Sequence, residues 1–369
     1  MTLRGSIIPA LPNDLGLRCL AFVSHGFHGV LETVSKSWRD ALRSPEYASL
    51  KERLGCSGDW IFLLTDSAPT WIAYDPLSDT WHPLPSVPHS HPNGLHEGFS
   101  SVCAAGRLFL IGGTYSPPSP PPLYPPSHIT DHVFRFDPFL KTWSRAASML
   151  SPRSHFACSV ISGKVFVAGG RAPSSSRGIS FAEVYDPHTD RWEELPAMPD
   201  PMADCVGMSY KGSFHVLSDQ VGLFETIFLH VFDPKTKSWC TVEQVWPFSP
   251  AVQYGVQVMP DSRVYTIVDG GASLIKTRVS EEEQWVDLGA VPPAFIGGHP
   301  RPLESFGYGF TALRGKLYVM GGKVLRWQEE GAGWFNIVRL NLVRVCDPDI
   351  QPLKWEETRP LCGNAAGCV

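Results

Sequence analysis

The sequence predicts a mostly β chain of six consecutive four-stranded units, arranged radially, behind a small all-α segment of three helices. Three observations predict it. A phrase built on Asp-Pro and Trp recurs along the chain. Short apolar strands, several ending in paired glycines, recur ahead of it. Residues 1–55 carry neither feature and instead space their apolar side chains as helices do.

The phrase reads YDPLSDTW (74–81), FDPFLKTW (136–143), YDPHTDRW (185–192), FDPKTKSW (232–239) and CDPDIQPLKW (346–355). Its upstream partners are RLFLIGG (107–113), GKVFVAGG (163–170) and GKLYVMGG (315–322). RVYTIVDGG (263–271) is a looser copy, GSFHVLSD (212–219) lacks the glycines, and WIFLLTD (60–66) fills the slot ahead of Tyr74. Trp81, Trp143, Trp192, Trp239, Trp285 and Trp355 mark six units, most of them about 50 residues apart.

The third unit shows the plan. HFACSVI (155–161) is strand one, Ser162-Gly163-Lys164 a tight turn, and VFVAGG (165–170) strand two. FAEVYDP (181–187) and RWEELP (191–196) are strands three and four. Their β-branched and aromatic content suits strands, and Asp-Pro and Gly mark the breaks. The glycine pairs fit where backbones crowd, and the tryptophans supply apolar plates between units. The first unit lacks its own strand one. The tail CGNAAGCV (362–369) resembles SSVCAAG (100–106) and is expected to complete that unit, closing a ring without sheet edges.

Ahead of the ring, LPNDLGLRCLAF (11–22) starts a helix, with Pro12 at its first position and Asn13 and Asp14 in its first turn. SHGFHG (24–29) interrupts it. Leu31, Val34, Trp38, Ala41 and Leu42 then fall on one helical face, and PEYASLKERL (45–54) is a third helix opened by Pro45.

Bulk properties exclude several functions. A net charge of −5 with 43 % apolar residues argues against a nucleic-acid binder, which would carry a basic stripe. No apolar run approaches the ~20 residues of a membrane span. The N-terminus lacks a signal-peptide core, so a cytoplasmic or nuclear location is expected. The nine cysteines are odd in number and contain no CxxC, which reads as small buried apolar residues in a reducing compartment. Cys362 and Cys368 are the one close pair. No HExxH, GxSxG or phosphate-binding loop is present, and HSHPNGLH (89–96) reads as a polar loop rather than a metal site. No cofactor and no catalytic residue are expected.

Taken together, the strand-glycine-pair and Asp-Pro-Trp motifs resemble the kelch β-propeller, here with six blades over residues 56–369. The copies depart at unit four, which lacks the glycines, and unit five, which lacks Asp-Pro before QWVDL. Blades pack on their neighbours, so one poor copy is tolerated. Residues 1–55 resemble an F-box, through Leu11-Pro12, Asp14, Leu15, Cys19-Leu20, Val34-Ser35, Trp38-Arg39 and Leu42. That resemblance implies that Leu11, Pro12, Asp14, Leu15, Cys19, Leu20, Val34, Trp38 and Leu42 dock a Skp-type adaptor and, through it, a cullin and a ubiquitin-conjugating enzyme. The ordered pair resembles plant F-box/kelch-repeat proteins. It implies a non-catalytic substrate receptor of a ubiquitin ligase, with the target protein unidentified. The alternatives are a kelch interaction scaffold outside a ligase and an enzyme similar to the copper radical oxidases, which are usually secreted.

Loop length points to a target-binding face. The turns joining strands 1–2 are minimal and most 3–4 turns are short, whereas the 2–3 loops (114–132, 171–180, 323–335) and the 4–1 connections (86–98, 241–252, 289–305) are long. Elaborated loops on a rigid scaffold carry binding. Candidates on that face are Arg153, His155, Arg171, Arg177, His299, Arg301, Lys323 and Trp334. SPPSPPPLYPPS (116–127) reads as a stiff polyproline II excursion.

Overall fold

The computed structural model describes residues 6–56, 58–65, 70–88, 96–115, 128–218, 227–244, 256–258, 263–269, 272–278, 284–297, 301–328, 334–361 and 365–368. The proline-rich segment, His299 and residues 89–95 lie outside them.

Six antiparallel sheets of successive four-strand units form the blades, I to VI. Blade III runs Ala157–Ile161, Lys164–Ala168, Ala182–Asp186 and Arg191–Leu195, one or two residues from the sequence expectation. The turn between its first two strands places Ser162 and Gly163 both at positive φ (51° and 77°), the turn whose twist matches a hairpin. Ala105-Gly106, Lys211-Gly212 and Arg314-Gly315 repeat it. Blade I takes its innermost strand, Ala365–Cys368, from the far end of the chain, paired antiparallel with Ile61–Thr65. Blade VI carries an extension: Lys316–Gln328 outruns the blade and pairs with Trp334–Arg339 as a hairpin.

The apolar cores lie between blades rather than within them. One joins Phe109, Ile111 and Val133 of blade II to Val165, Val167, Tyr185 and Trp192 of blade III. The recurring phrase supplies the bolts. Asp75, Asp137, Asp186 and Asp233 each accept the amide two residues on, at 2.8–3.0 Å, which sets the turn after strand three. The Tyr185 hydroxyl donates to Asp190 Oδ1 at 2.7 Å, and the same oxygen accepts the Ala147 amide of the preceding blade at 2.9 Å. The Trp192 indole donates to the Ala147 carbonyl at 2.9 Å. Trp81, Trp143 and Trp239 reach Arg359, Pro85 and Pro196 carbonyls in the same way. Asp190→Ala is therefore expected to destabilise the chain by about 1–3 kcal/mol, since it strands two donors at a blade interface. A thermal melt of the variant checks this, and an unchanged midpoint would contradict it.

The helical segment differs from expectation in two ways. The helices are α1 (Asn13–Ala21), α2 (His28–Leu31), α3 (Lys36–Leu42) and α4 (Pro45–Arg53), four rather than three. The helix predicted through residues 31–42 breaks at Val34, because the Ser35 hydroxyl caps α3 by accepting the Trp38 amide at 3.1 Å. Pro12 is the N-cap of α1 rather than its first helical residue. Leu20, Ala21, Ala41, Leu42 and Tyr47 form the helical core with Ile7.

Candidate functional site

The helical unit sits on the face of the ring that carries the 1–2 and 3–4 turns. The Ser24 hydroxyl donates to the Asp75 carboxylate in the turn of blade I, and the His25 ring meets the Pro138 carbonyl in the turn of blade II. His25 packs edge-on against Trp60 and Phe139, with centroids 5.4 and 4.8 Å away. His28 lies 4.1 Å from His25, and its Nε2 is 3.0 Å from the Tyr47 hydroxyl. Lys51, also buried, donates to the Val23 carbonyl at 2.7 Å. Burial lowers both histidines, His25 to about 4 and His28 to about 2, so both are neutral at pH 7. Gly26 lets the His82 ring approach closely, since a Cβ would lie 2.0 Å from His82 Nε2 and the ring would have to move aside.

The predicted adaptor-binding residues divide into two groups. Pro12, Asp14, Leu15, Cys19 and Val34 are exposed, and Leu11 is half-buried. Leu20 and Leu42 are buried in the helical core, so contrary to expectation they shape the unit from within. Trp38 is half-buried, its indole donating to the Ile7 carbonyl at 2.5 Å. Two residues not singled out from the sequence join the exposed group: Phe22 at 70 % and Val30 at 67 % exposure. Phe22 continues the face of Leu15 and Cys19 at helical spacings of four and three, a signal that was available in the sequence.

On the opposite face the loop candidates also divide. Arg153 is fully buried, correcting its expected place on the rim. It donates to the Gly169 and Phe181 carbonyls at 3.0 Å and to Glu183 at 2.6 Å. Burial pushes the Glu183 carboxyl upward, opposed by the Arg153 charge. Arg177 and Arg301 are exposed, and Lys323 is half-buried at the base of the blade VI hairpin. Trp334 starts the hairpin's return strand. Arg171 and Lys323, equivalent in sequence, belong to blades III and VI and form no common site.

His155 and Arg171 do come together, around Asp204. A cavity of about 260 Å³ opens at the starts of the innermost strands of blades II, III and IV. Gly98, Ser100, His155, Cys158, Asp204 and Val206 are part of its lining. The backbone is stitched across it: the His155 amide donates to the Gly98 carbonyl at 2.7 Å, and the Cys205 amide to the His155 carbonyl at 3.0 Å. From outside the lining, Arg171 holds the Asp204 carboxylate at 2.5 Å. Burial pushes the Cys158 thiol up to about 12, so it is protonated and unreactive at neutral pH. Cys205 and Cys346 are buried as expected, whereas Cys19, Cys103 and Cys240 are exposed. Among the described residues, no group of three or more His, Cys, Asp or Glu could hold a metal, and no helix is long and apolar enough to cross a membrane.

The fold and these surfaces define a six-bladed kelch β-propeller carrying a helical module. Residues 152–199 match the Kelch motif. The chain is 56 % identical over 369 residues to the F-box/kelch-repeat protein At1g16250 of Arabidopsis thaliana, covering 99 % of this chain and 96 % of that one. It is 34 % identical over 249 residues to the F-box/kelch-repeat protein SKIP30 of the same plant, covering 67 % and 68 %. The solved structure of YjhT superposes with a TM-score of 0.51 at 15 % identity, over 76 % of this chain and 87 % of that one, a likeness of fold alone. The chain belongs to the F-box/kelch-repeat family. Family and fold together support a substrate-adaptor role.

Proposed function

We propose that the chain is the substrate-recognition subunit of a Skp–cullin–F-box ubiquitin ligase. The observation that carries this reading is the set of exposed apolar side chains on a small, otherwise well-packed helical unit: Leu15, Phe22, Val30 and Val34. Apolar surface left in water on so small a unit marks a contact with another protein. Burying it against a Skp-type adaptor would anchor the chain, and the cullin would follow through the adaptor. The propeller would hold a target protein by its 2–3 and 4–1 loops, on the face turned away from the helical unit. The chain would perform no chemistry of its own. It would raise the effective concentration of the target at the conjugating enzyme.

Co-purification with a Skp-type adaptor and a cullin tests this. The wild type is expected to retain both. Phe22→Glu with Val30→Glu is expected to weaken capture by about a hundredfold or more, since each charge would be buried against apolar partner surface. Both side chains are exposed, so circular dichroism should be unchanged. Failure of the folded wild type to bind the adaptor would overturn the ligase reading and leave an interaction scaffold acting elsewhere.

A further inference from the structure

Resting on the receptor reading, we infer that the cavity between blades II, III and IV is an anchor site for one neutral carboxamide side chain, asparagine or glutamine, of the bound target. The first observation is conformational. Aligning the blades on their 1–2 turns puts Gly98, His155, Asp204 and Gly307 at one position, just ahead of strand one in blades II to IV and at its start in blade VI. All four are left-handed, with φ of 63°, 51°, 47° and 72°. Glycine meets that requirement without strain in blades II and VI. Blades III and IV place His155 and Asp204 there instead, and both line the same cavity. Retained backbone strain that converges on one cavity marks a site selected for something other than stability.

The second observation is chemical. The cavity is near the lower end of the size range of ligand pockets, room for a side chain rather than a cofactor. Its polar lining includes Ser100, His155 and Asp204, with the Arg171 guanidinium against the Asp204 carboxylate. An incoming carboxylate would meet Asp204, and an incoming ammonium or guanidinium would add to Arg171. Either charge would also lose solvation in a half-enclosed site. A carboxamide has both an acceptor and two donors. Its NH₂ can donate to the carboxylate, its oxygen can accept from Ser100 or from a protonated ring nitrogen of His155, and it brings no charge. A purely apolar side chain would displace water from the polar lining and offer it no hydrogen bond in return.

The test uses the full chain and a positional-scanning library of capped, extended nonapeptides, read by fluorescence anisotropy. The wild type is expected to select Gln or Asn over Ala at one position by about tenfold or more. His155→Gly and Asp204→Gly should lose that selectivity while keeping the fold, as an unchanged circular dichroism spectrum would show, because glycine already occupies the equivalent positions of blades II and VI. Selection of acidic, basic or apolar residues at that position, selectivity that survives both variants, or no bound peptide would each overturn the inference. The receptor reading is judged separately, by adaptor co-purification, so the two can fail independently.

Discussion

Arg153→Ala is expected to destabilise the ring by about 3–5 kcal/mol, the cost of leaving a buried charge without its partner. Arg153 and Glu183 are both fully buried, 2.6 Å apart, between the ends of blade III's strands. The guanidinium also satisfies the Gly169 and Phe181 carbonyls, and Glu183 Oε2 accepts the Leu150 amide at 2.7 Å. Removing the arginine therefore leaves the Glu183 carboxylate without its counter-charge and the Gly169 carbonyl without its donor, while the Phe181 carbonyl keeps the Gly169 amide. Arg153→Lys should rescue little, because one ammonium cannot reproduce the planar fork. Glu183→Gln should cost somewhat less, since its one oxygen can still accept from Leu150 or Arg153, although the guanidinium loses its counter-charge. Urea denaturation of the three variants checks the order. A loss below about 1 kcal/mol for Arg153→Ala would show that the pair is not a structural element.

The second large effect is a pH response at the junction of the two parts. His25 and His28 are neutral in the folded chain, with values of about 4 and 2 against 6.5 when unfolded. Burial is the main cause for both. For His28 the neighbouring His25 adds to it, and Lys51 and Lys141 push both rings the same way. The Pro138 carbonyl and Asp137 oppose it at His25. Below pH 6.5 the unfolded chain takes up protons that the folded chain does not. Stability is therefore fully present above 6.5 and falls as the pH falls toward 4, by about 2 kcal/mol per histidine at pH 5. Denaturation midpoints measured between pH 7.5 and 5 should drop steeply. His25→Phe combined with His28→Phe should flatten that slope whatever its effect on the midpoint at pH 7.5. An unchanged slope in the double variant would rule the two histidines out as its source.

Much of the ring was legible because each repeat states its own bonding. Asp-Pro and Trp in one phrase set the turn and reach the previous blade, so five copies, with Trp285 marking the remaining unit, imply six interfaces. Arg153 was not legible in this way. An arginine after Pro152 in a connection between strands reads as solvated, and its partner Glu183 lies thirty positions on, in a different strand. The break at Val34 was hidden because Leu31, Trp38 and Leu42 keep helical spacing across it, although Ser35 three residues before Trp38 is a capping signal. Leu20 and Leu42 match the F-box pattern but are core residues, since a family motif mixes positions that fold a module with positions that touch its partner. Asp204 was overlooked because it carries no motif; its position emerges only when the blades are aligned on their turns. His25 and His28 read as a loop, and burial by a second part of the chain leaves no local trace in sequence.

The strand that seals blade I has a consequence for how the molecule is made. Ala365–Cys368 completes a sheet whose next strand is Ile61–Thr65. During synthesis the inner edge of that early strand must wait, open, while some 300 further residues leave the ribosome, an interval of ~15–60 s at ordinary elongation rates. Blades II to V can form in order behind it, but the circle cannot lock until its last strand emerges. A stop codon before residue 365 would delete almost nothing from the loops or the helical unit. It would nonetheless release a ring with a seam, whose bare edge is free to recruit a strand from another chain.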